Sequence, residues 1–174
     1  LLSRQQAYQQ VESISQTLCD PQRVLAGGYL YWSDILSSPD IARRMGSIIA
    51  GEYYGAGADF VLTMETKGIP FALMTAEALG VPLIIARRSS KVYEGSAVNI
   101  NYVTGRGSIE TMALARRAVK PGQKALIVDD FIRAGGTARG MVSLMAEFNV
   151  EVVGMAFMLA RKTRRRGTSA ATGP

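Results

Sequence analysis

The last two-thirds of the chain alternates between short apolar runs and longer segments with helical spacing of apolar residues. The runs that predict buried strands are Asp59–Met64, Val81–Ala86, Ala125–Val128 and Val150–Leu159. The segments that predict helices are Gly68–Leu79, Ser108–Val119 and Ala138–Phe148. A further piece, Ala97–Val103, alternates apolar and polar residues as an edge strand or hairpin does. Alternating strands and helices predict an α/β fold with a mainly parallel sheet flanked by helices and right-handed crossovers.

The first third of the chain predicts two helices around a short strand. Residues 1–18 place apolar side chains at three- and four-residue spacings, and Asp20-Pro21 ends that helix. A Gly-Gly turn then leads into the strand-like residues 29–32, and Asp40–Tyr54 has the pattern of a second helix. We therefore predict a linker helix over residues 1–20, one domain over 21–160 and a tail over 161–174.

The most informative stretch is Lys124–Thr137, in which two adjacent acids and a glycine loop follow an apolar run. Asp129 and Asp130 come directly after the predicted strand, and Gly135-Gly136-Thr137 opens the next predicted helix. Open α/β sheets bind ligands at the carboxyl ends of their strands. Consecutive backbone N–H groups at a helix start can hold a phosphate, and paired carboxylates can accept hydrogen bonds from two neighbouring hydroxyls. The stretch therefore predicts a site for a phosphorylated sugar.

A second glycine loop, Glu65–Pro70, has the same position between a predicted strand and the helix after it. Lys67 can neutralise a phosphate there, and the backbone N–H groups near Gly68 can bind another oxygen atom. Alone, a Lys-Gly turn is more often a surface corner. Beside the first loop, it predicts a second phosphate-binding point.

Composition narrows the class of protein and of chemistry. With 174 residues, 48% apolar and 20% charged, the chain fits a single folded domain. It has no histidine, which excludes Ser-His-Asp and Cys-His nucleophiles and argues against a zinc site. Its single cysteine excludes an internal disulfide and is consistent with a reducing, cytoplasmic location. No run of about 18 apolar residues occurs, so we expect no transmembrane span.

The net charge of +6 belongs to the tail rather than to the predicted domain. Five basic residues lie between Arg161 and Arg166, and no acid follows Ala160, so the remainder carries only about +1. The tail ends in small and polar residues and is predicted to be disordered. The charge therefore does not indicate a nucleic-acid surface on the folded part.

The Asp129–Thr137 segment resembles the 5-phosphoribosyl-1-pyrophosphate (PRPP) motif of the type I phosphoribosyltransferases. That motif has an apolar strand, Asp-Asp, three variable residues, and a small residue before Gly-Gly-Thr. Thr66-Lys67-Gly68 resembles the pyrophosphate loop of the same family. The Asp129–Thr137 segment is not a nucleotide P-loop, because no Lys-Ser or Lys-Thr follows its last glycine.

Further segments resemble the family of bacterial purine operon repressors. These are residues 26–36, Lys91–Ser96 and Asn99–Val103. The first and the last of these segments are not general to phosphoribosyltransferases. In that family a winged-helix DNA-binding domain precedes a phosphoribosyltransferase-like domain. The resemblance implies that PRPP is an effector that weakens operator binding, that the domain forms a homodimer, and that operator DNA is contacted only through an upstream domain missing from this chain.

The resemblance also assigns roles to individual residues. Asp129 and Asp130 would hold the ribose diol, and Ala134, Gly135, Gly136 and Thr137 would cradle the 5-phosphate. Lys67 and Gly68, with Thr66, would meet the pyrophosphate. Arg133 would add positive charge, Lys91 would come from a flexible loop, and Tyr29 would either contact the ligand or simply pack beside the Gly-Gly turn. Mg²⁺ would bind through PRPP, with no ligand directly from the protein.

Two interpretations remain open from the sequence. One is a PRPP-sensing domain of a repressor of purine biosynthesis genes that binds PRPP without catalysis. The other is a catalytic phosphoribosyltransferase of the xanthine or orotate type. A transferase also needs a base-binding hood outside the core sheet, and no such segment is recognisable, because the predicted core runs almost to Leu159.

Overall fold

The computed structural model describes residues 3–18, 24–25, 29–30, 38–88, 96–104, 106–132 and 134–160. The helices are α1 (Arg4–Leu18), α2 (Pro39–Tyr53), α3 (Ile69–Leu79) and α4 (Gly136–Glu147), with a 3-10 turn at Tyr54–Ala56. The strands are β1 (Val24–Leu25), β2 (Tyr29–Leu30), β3 (Phe60–Met64), β4 (Leu83–Ala86), β5 (Ala97–Val103), β6 (Ile109–Ala115), β7 (Lys124–Ile132) and β8 (Glu151–Ala160). Cys19 and the predicted tail lie outside the described residues.

A four-stranded parallel sheet in the order β4–β3–β7–β8 forms the centre of the domain. Val61 of β3 pairs with Leu83 on one side and with Leu126 of β7 on the other. All five residues of β3 are buried, which is typical of a parallel strand covered on both faces. The predicted α/β fold with a mainly parallel sheet is therefore confirmed.

Apolar side chains cover both faces of this sheet. On one face, Met141 and Leu144 of α4 pack with Phe60 and Ile127 in one core cluster. On the other face, α2 and α3 supply the second cluster, which includes Phe71. Among the described residues, no helix is long and apolar enough to cross a membrane.

The prediction of a helix over Ser108–Val119 is wrong. Ile109–Ala115 forms β6, which pairs with β5 over seven residues from Val103↔Ile109 to Ala97↔Ala115. Ala113 also bridges to Arg87, just after β4, and so ties the hairpin to the edge of the main sheet. The segment is rich in helix-forming residues, but this non-local pairing and the burial of residues 112–115 override that local preference.

The central strand is longer than predicted. An apolar run ending at Val128 predicted a strand of four residues, whereas β7 continues through both acids to Ile132. It is held there by parallel pairing with β8, from Asp129↔Phe157 to Ile132↔Ala160. Asp129 and Asp130 therefore lie on the strand itself, and pairing with β8 fixes their backbone.

Candidate functional site

A cleft of about 350 Å³ lies where the carboxyl ends of β3 and β7 meet. The residues that line it are Met64, Glu65, Thr66, Lys67, Arg88, Asp129, Asp130, Phe131 and Thr137. They come from the ends of β3 and β7, from the loop after β3, from the segment after β4 and from the first turn of α4. Because β3 and β7 are parallel neighbours, the two loops that follow them meet at one edge of the sheet, as their sequence positions predicted.

Asp129 is the buried acid of the site, with 7% of its surface exposed. Its Oδ1 accepts a hydrogen bond of 2.9 Å from the backbone N–H of Asp130, and Asp130 Oδ1 accepts one of 2.8 Å from the N–H of Phe131. Burial, with the neighbouring charge of Asp130, raises the pKa of Asp129 from 3.8 to about 7. Asp129 is therefore close to half-protonated near neutral pH.

Gly68 lies directly against Asp129. A Cβ atom at this position would collide with Asp129 Oδ1 and would lie 2.7 Å from Thr63 Oγ1. The loop before it, with a cis peptide bond between Glu65 and Thr66, places Thr66 and Lys67 on the wall of the cleft. Gly68 thus keeps the second loop in contact with the acid on β7.

The third part of the site is the start of α4. Gly135 adopts a left-handed conformation with φ of 74°, and its carbonyl accepts a hydrogen bond of 2.9 Å from Arg139 N. Thr137, in the first turn of the helix, reaches the cleft. The positive end of the helix therefore adjoins the cleft, as a phosphate site requires.

Gly136 serves packing, which the sequence did not indicate. A Cβ atom there would overlap the carbonyl of Val103, at the end of β5. Gly136 thus allows the helix start and the hairpin to touch, and backbone on both sides leaves little freedom to adjust.

We expect Gly136→Val to destabilise the fold, because overpacking of this kind costs about 1–3 kcal/mol. Chemical unfolding measures the change. Gly51→Val in α2 is the matched control, since a Cβ at Gly51 meets no atom within 4 Å. Equal unfolding midpoints for the two variants would contradict the packing role of Gly136.

A polar network joins the cleft to the hairpin. Arg88 donates from its backbone N–H to Glu65 Oε1 at 2.9 Å and from its guanidinium to Glu110 Oε2 at 3.1 Å. Tyr102 donates its hydroxyl to the same Glu110 oxygen at 3.0 Å, and burial together with Glu110 raises the pKa of Tyr102. Arg88 is therefore held by two carboxylates at the mouth of the cleft.

These network residues were not among the predicted site residues. Arg88 had a detectable signal, because it follows the strand next to β3 and so falls at the same edge of the sheet. Tyr102 lies in Asn99–Val103, a segment that carried the resemblance but received no role in the site, and Glu110 lies in the segment predicted to be helical. Only the observed hairpin brings them to the site.

The structure gathers most, but not all, of the predicted ligand-binding residues. Thr66, Lys67, Asp129, Asp130 and Thr137 line the cleft, and Gly68 packs beneath Asp129. Ala134, Gly135 and Gly136 lie at the start of α4 but are not among the lining residues. The structure describes only the backbone of Tyr29, and Lys91 and Arg133 lie outside the described residues. The roles of all these residues in binding PRPP stay predictions.

Sequence comparison relates the chain to transcriptional regulators and to enzymes. It is 43% identical over 159 residues to the purine biosynthesis transcriptional repressor PurR of Bacillus subtilis, covering 91% of this chain and 56% of that protein. It is 46% identical over 149 residues to the purine biosynthesis transcriptional activator PurR of Lactococcus lactis, covering 85% and 55% respectively. Identity to the xanthine phosphoribosyltransferase of Lactococcus lactis is 32% over 123 residues, covering 70% and 62%. The chain thus spans about half the length of the regulators it matches, and the predicted resemblance to purine operon repressors is confirmed.

Structural comparison and a family model agree with these relatives. Adenine phosphoribosyltransferase of Saccharomyces cerevisiae superposes with a TM-score of 0.76 at 20% identity, covering 88% of this chain and 90% of that chain. This likeness supports the fold. The model of the phosphoribosyl transferase domain matches residues 31–170, which is most of the chain. The chain therefore belongs to the phosphoribosyl transferase domain family.

Proposed function

We propose that this chain is the PRPP-sensing domain of a transcriptional repressor of purine biosynthesis genes, and that it binds PRPP without catalysis. The observation that carries the proposal is the cleft between β3 and β7, in which paired acids face a lysine loop and a helix start. The similarity to PurR regulators over about nine-tenths of the chain supports the regulatory role.

The charges around the cleft suit a ribose with phosphates at both ends. Asp129 and Asp130 can accept hydrogen bonds from vicinal hydroxyls. Thr137 and the start of α4 lie on the side suited to a terminal phosphate, whereas Lys67 and Arg88 provide positive charge for a diphosphate. A nucleoside base is not needed to use any of these groups.

Mg²⁺ fits this site as a partner of the ligand. Among the described residues, no group of three or more acidic, cysteine or histidine side chains could hold a metal ion. The diphosphate of PRPP would supply the oxygen ligands that Mg²⁺ prefers, with no ligand directly from the protein. The metal would enter bound to PRPP and reduce its charge.

The remaining parts of the proposal concern the whole protein. Operator DNA would be contacted through an upstream winged-helix domain. The PRPP-binding domain described above would form a homodimer in the cytoplasm. Relatives named as repressor and as activator match at similar identity, 43% and 46%. Sequence identity over this domain therefore does not distinguish a repressor from an activator. We propose that the whole protein is a repressor.

A catalytic phosphoribosyltransferase is the second candidate. It is favoured by the family model and by the 32% identity to a xanthine phosphoribosyltransferase, and an orotate-type enzyme would use the same cleft. The regulator is preferred because the PurR proteins match at higher identity and over more of the chain.

A calorimetric titration and a turnover assay test the two candidates together. PRPP with Mg²⁺ should bind, whereas ribose 5-phosphate, which lacks the diphosphate, should bind more weakly. Incubation of PRPP and Mg²⁺ with adenine, guanine, hypoxanthine, xanthine, uracil or orotate should form no nucleotide. Absence of PRPP binding would contradict the proposal, and turnover with any base would establish the enzyme instead.

We expect PRPP affinity to fall as the pH drops below 7. The carboxylate of Asp129 accepts hydrogen bonds best when ionised, and because its pKa is raised to about 7, only about one-tenth is ionised at pH 6. Affinity should fall about tenfold between pH 8 and pH 6. The phosphates of PRPP also titrate in this range, so Asp129→Asn is the control that retains only their contribution. Parallel pH profiles for the two proteins would contradict the expectation.

A further inference from the structure

Thr63 presents a buried hydroxyl without a hydrogen-bond partner. It lies near the carboxyl end of β3 with 0% of its surface exposed. Its Oγ1 accepts and donates no hydrogen bond within the described part of the chain. Buried polar groups are almost always paired, because leaving one unpaired costs free energy, so this hydroxyl calls for an explanation.

The position of the hydroxyl suggests what it serves. Both Thr63 Oγ1 and Asp129 Oδ1 lie closer than 3.0 Å to the point where a Cβ atom on Gly68 would be. The absent side chain of Gly68 therefore leaves a space that the hydroxyl and the carboxyl share. No hydrogen bond joins them in this structure. Asp129 Oδ1 accepts one from the N–H of Asp130.

The Thr63 hydroxyl can pair with the Asp129 carboxyl whether that carboxyl is ionised or protonated. It donates a hydrogen bond to an ionised carboxylate and accepts one from a protonated carboxyl. A ligand that accepts or donates hydrogen bonds at Asp129 from the cleft side gives a reason for the hydroxyl and the carboxyl to pair across this shared space. A methyl group at the same place could do neither.

We propose that Thr63 is a positioning residue for Asp129, and that its hydroxyl hydrogen-bonds the ionised carboxylate when a ligand with vicinal hydroxyls occupies the cleft. This inference rests on the proposed function for the identity of the ligand. Thr63 touches neither the ligand nor the cleft wall, and acts only through Asp129.

Other charged groups act on Asp129 or lie around the same cleft, and they remain constant in the test. Asp130 on β7 opposes ionisation, and Arg88 after β4 favours it. Glu65 and Lys67, in the loop after β3, line the same cleft. Arg139 on α4 lies near Gly135 at the helix start. A change at Thr63 alters none of these groups, so its effect on Asp129 is separable from theirs.

The test compares Thr63→Val, which keeps the shape, with Thr63→Ser, which keeps the hydroxyl. Two measurements are made on the full chain: the titration of the Asp129 carboxyl carbon by NMR with PRPP and Mg²⁺ bound, assigned with Asp129→Asn, and PRPP affinity by calorimetry between pH 6 and pH 9. Loss of a hydrogen bond to a charged group should weaken PRPP binding about tenfold at pH 7 in Thr63→Val. It should also raise the midpoint of the Asp129 titration by about one unit.

Thr63→Ser should behave as the wild type in both measurements. Because Thr63→Val removes a buried hydroxyl that has no partner in the structure, the variant should be at least as stable as the wild type, so a loss of binding is not a loss of folding. A Thr63→Val titration that overlays the wild type overturns the inference, as does a Thr63→Ser variant that matches Thr63→Val. If the wild type binds no PRPP, the proposed function fails, and the same titrations repeated with ribose 5-phosphate decide the role of Thr63 separately.

Discussion

Gly68→Ala should weaken PRPP binding on the order of a hundredfold while the domain remains folded. The added methyl group would collide with Asp129 Oδ1 and would lie 2.7 Å from Thr63 Oγ1 and 3.1 Å from Asp129 Cα. The backbone of Asp129 cannot move far, because Asp129 pairs with Phe157 of β8 and the residues up to Ile127 pair with β3. Either the acid rotates out of place or the Lys67 loop moves away, and both separate the two halves of the site. We expect a loss of affinity on the order of a hundredfold, since about two charge-assisted hydrogen bonds are lost.

Calorimetry with PRPP and Mg²⁺ measures this change, and circular dichroism establishes that the variant is folded. Gly51→Ala is the matched control, because a Cβ at that position in α2 meets nothing within 4 Å. That control should bind PRPP as the wild type does and gain up to about 1 kcal/mol in the free energy of unfolding, because alanine is the better helix former. Unchanged PRPP affinity in Gly68→Ala would show that contact between the loop and Asp129 is not required for binding.

The parts of the fold that the sequence predicted are those in which local pattern and tertiary environment agree. The all-buried run of β3 and the helical spacing of α2 and α3 each predicted the observed element to within about two residues. The meeting of the two glycine loops also followed from the sequence, because parallel neighbouring strands bring their carboxyl ends to one edge. Strand direction was enough to place both loops at one edge, whereas the direct pairing of β3 with β7 is seen only in the structure.

The errors occurred where long-range pairing decides the structure. Nothing local in Ile109–Ala115 distinguishes a strand from a helix, and the choice is made by β5 and by the bridge from Arg87 to Ala113. The same applies to Arg88, whose partner Glu110 is 22 positions away. Gly136 illustrates the limit for single residues: its place beside a glycine predicted a phosphate contact, whereas its requirement for glycine comes from the Val103 carbonyl.

Replacement of both acids, Asp129→Asn with Asp130→Asn, should weaken PRPP binding by at least tenfold. Each carboxylate is expected to accept a charge-assisted hydrogen bond from the ribose, and such bonds contribute roughly 1.5–3 kcal/mol each. Asn retains the shape and one acceptor oxygen, so the loss measures charge rather than packing. Asp59→Asn is the matched control: its carboxylate accepts a hydrogen bond of 2.7 Å from Lys124 N at the opposite end of β7. PRPP affinity in that control should equal that of the wild type, and equal affinity in the double variant would refute the assignment of the diol to these acids.

The same double variant should be more stable than the wild type at pH 8, although it binds less well. Because the pKa of Asp129 is raised in the folded state, the folded protein binds a proton more tightly than the unfolded chain does. The stability contributed by this group is therefore full below about pH 4 and is lost as the pH rises to about 7. Asn mimics the neutral carboxyl and relieves the repulsion between the two acids at high pH.

Chemical unfolding at pH 8 and pH 5 measures this effect. The free energy of unfolding should be higher in the variant than in the wild type at pH 8, and this difference should be smaller at pH 5. A gain that is equal at both pH values would mean that the stabilisation does not come from this carboxyl. Lower affinity combined with higher stability would indicate that the buried acid pair is retained for ligand binding, at a cost to the fold.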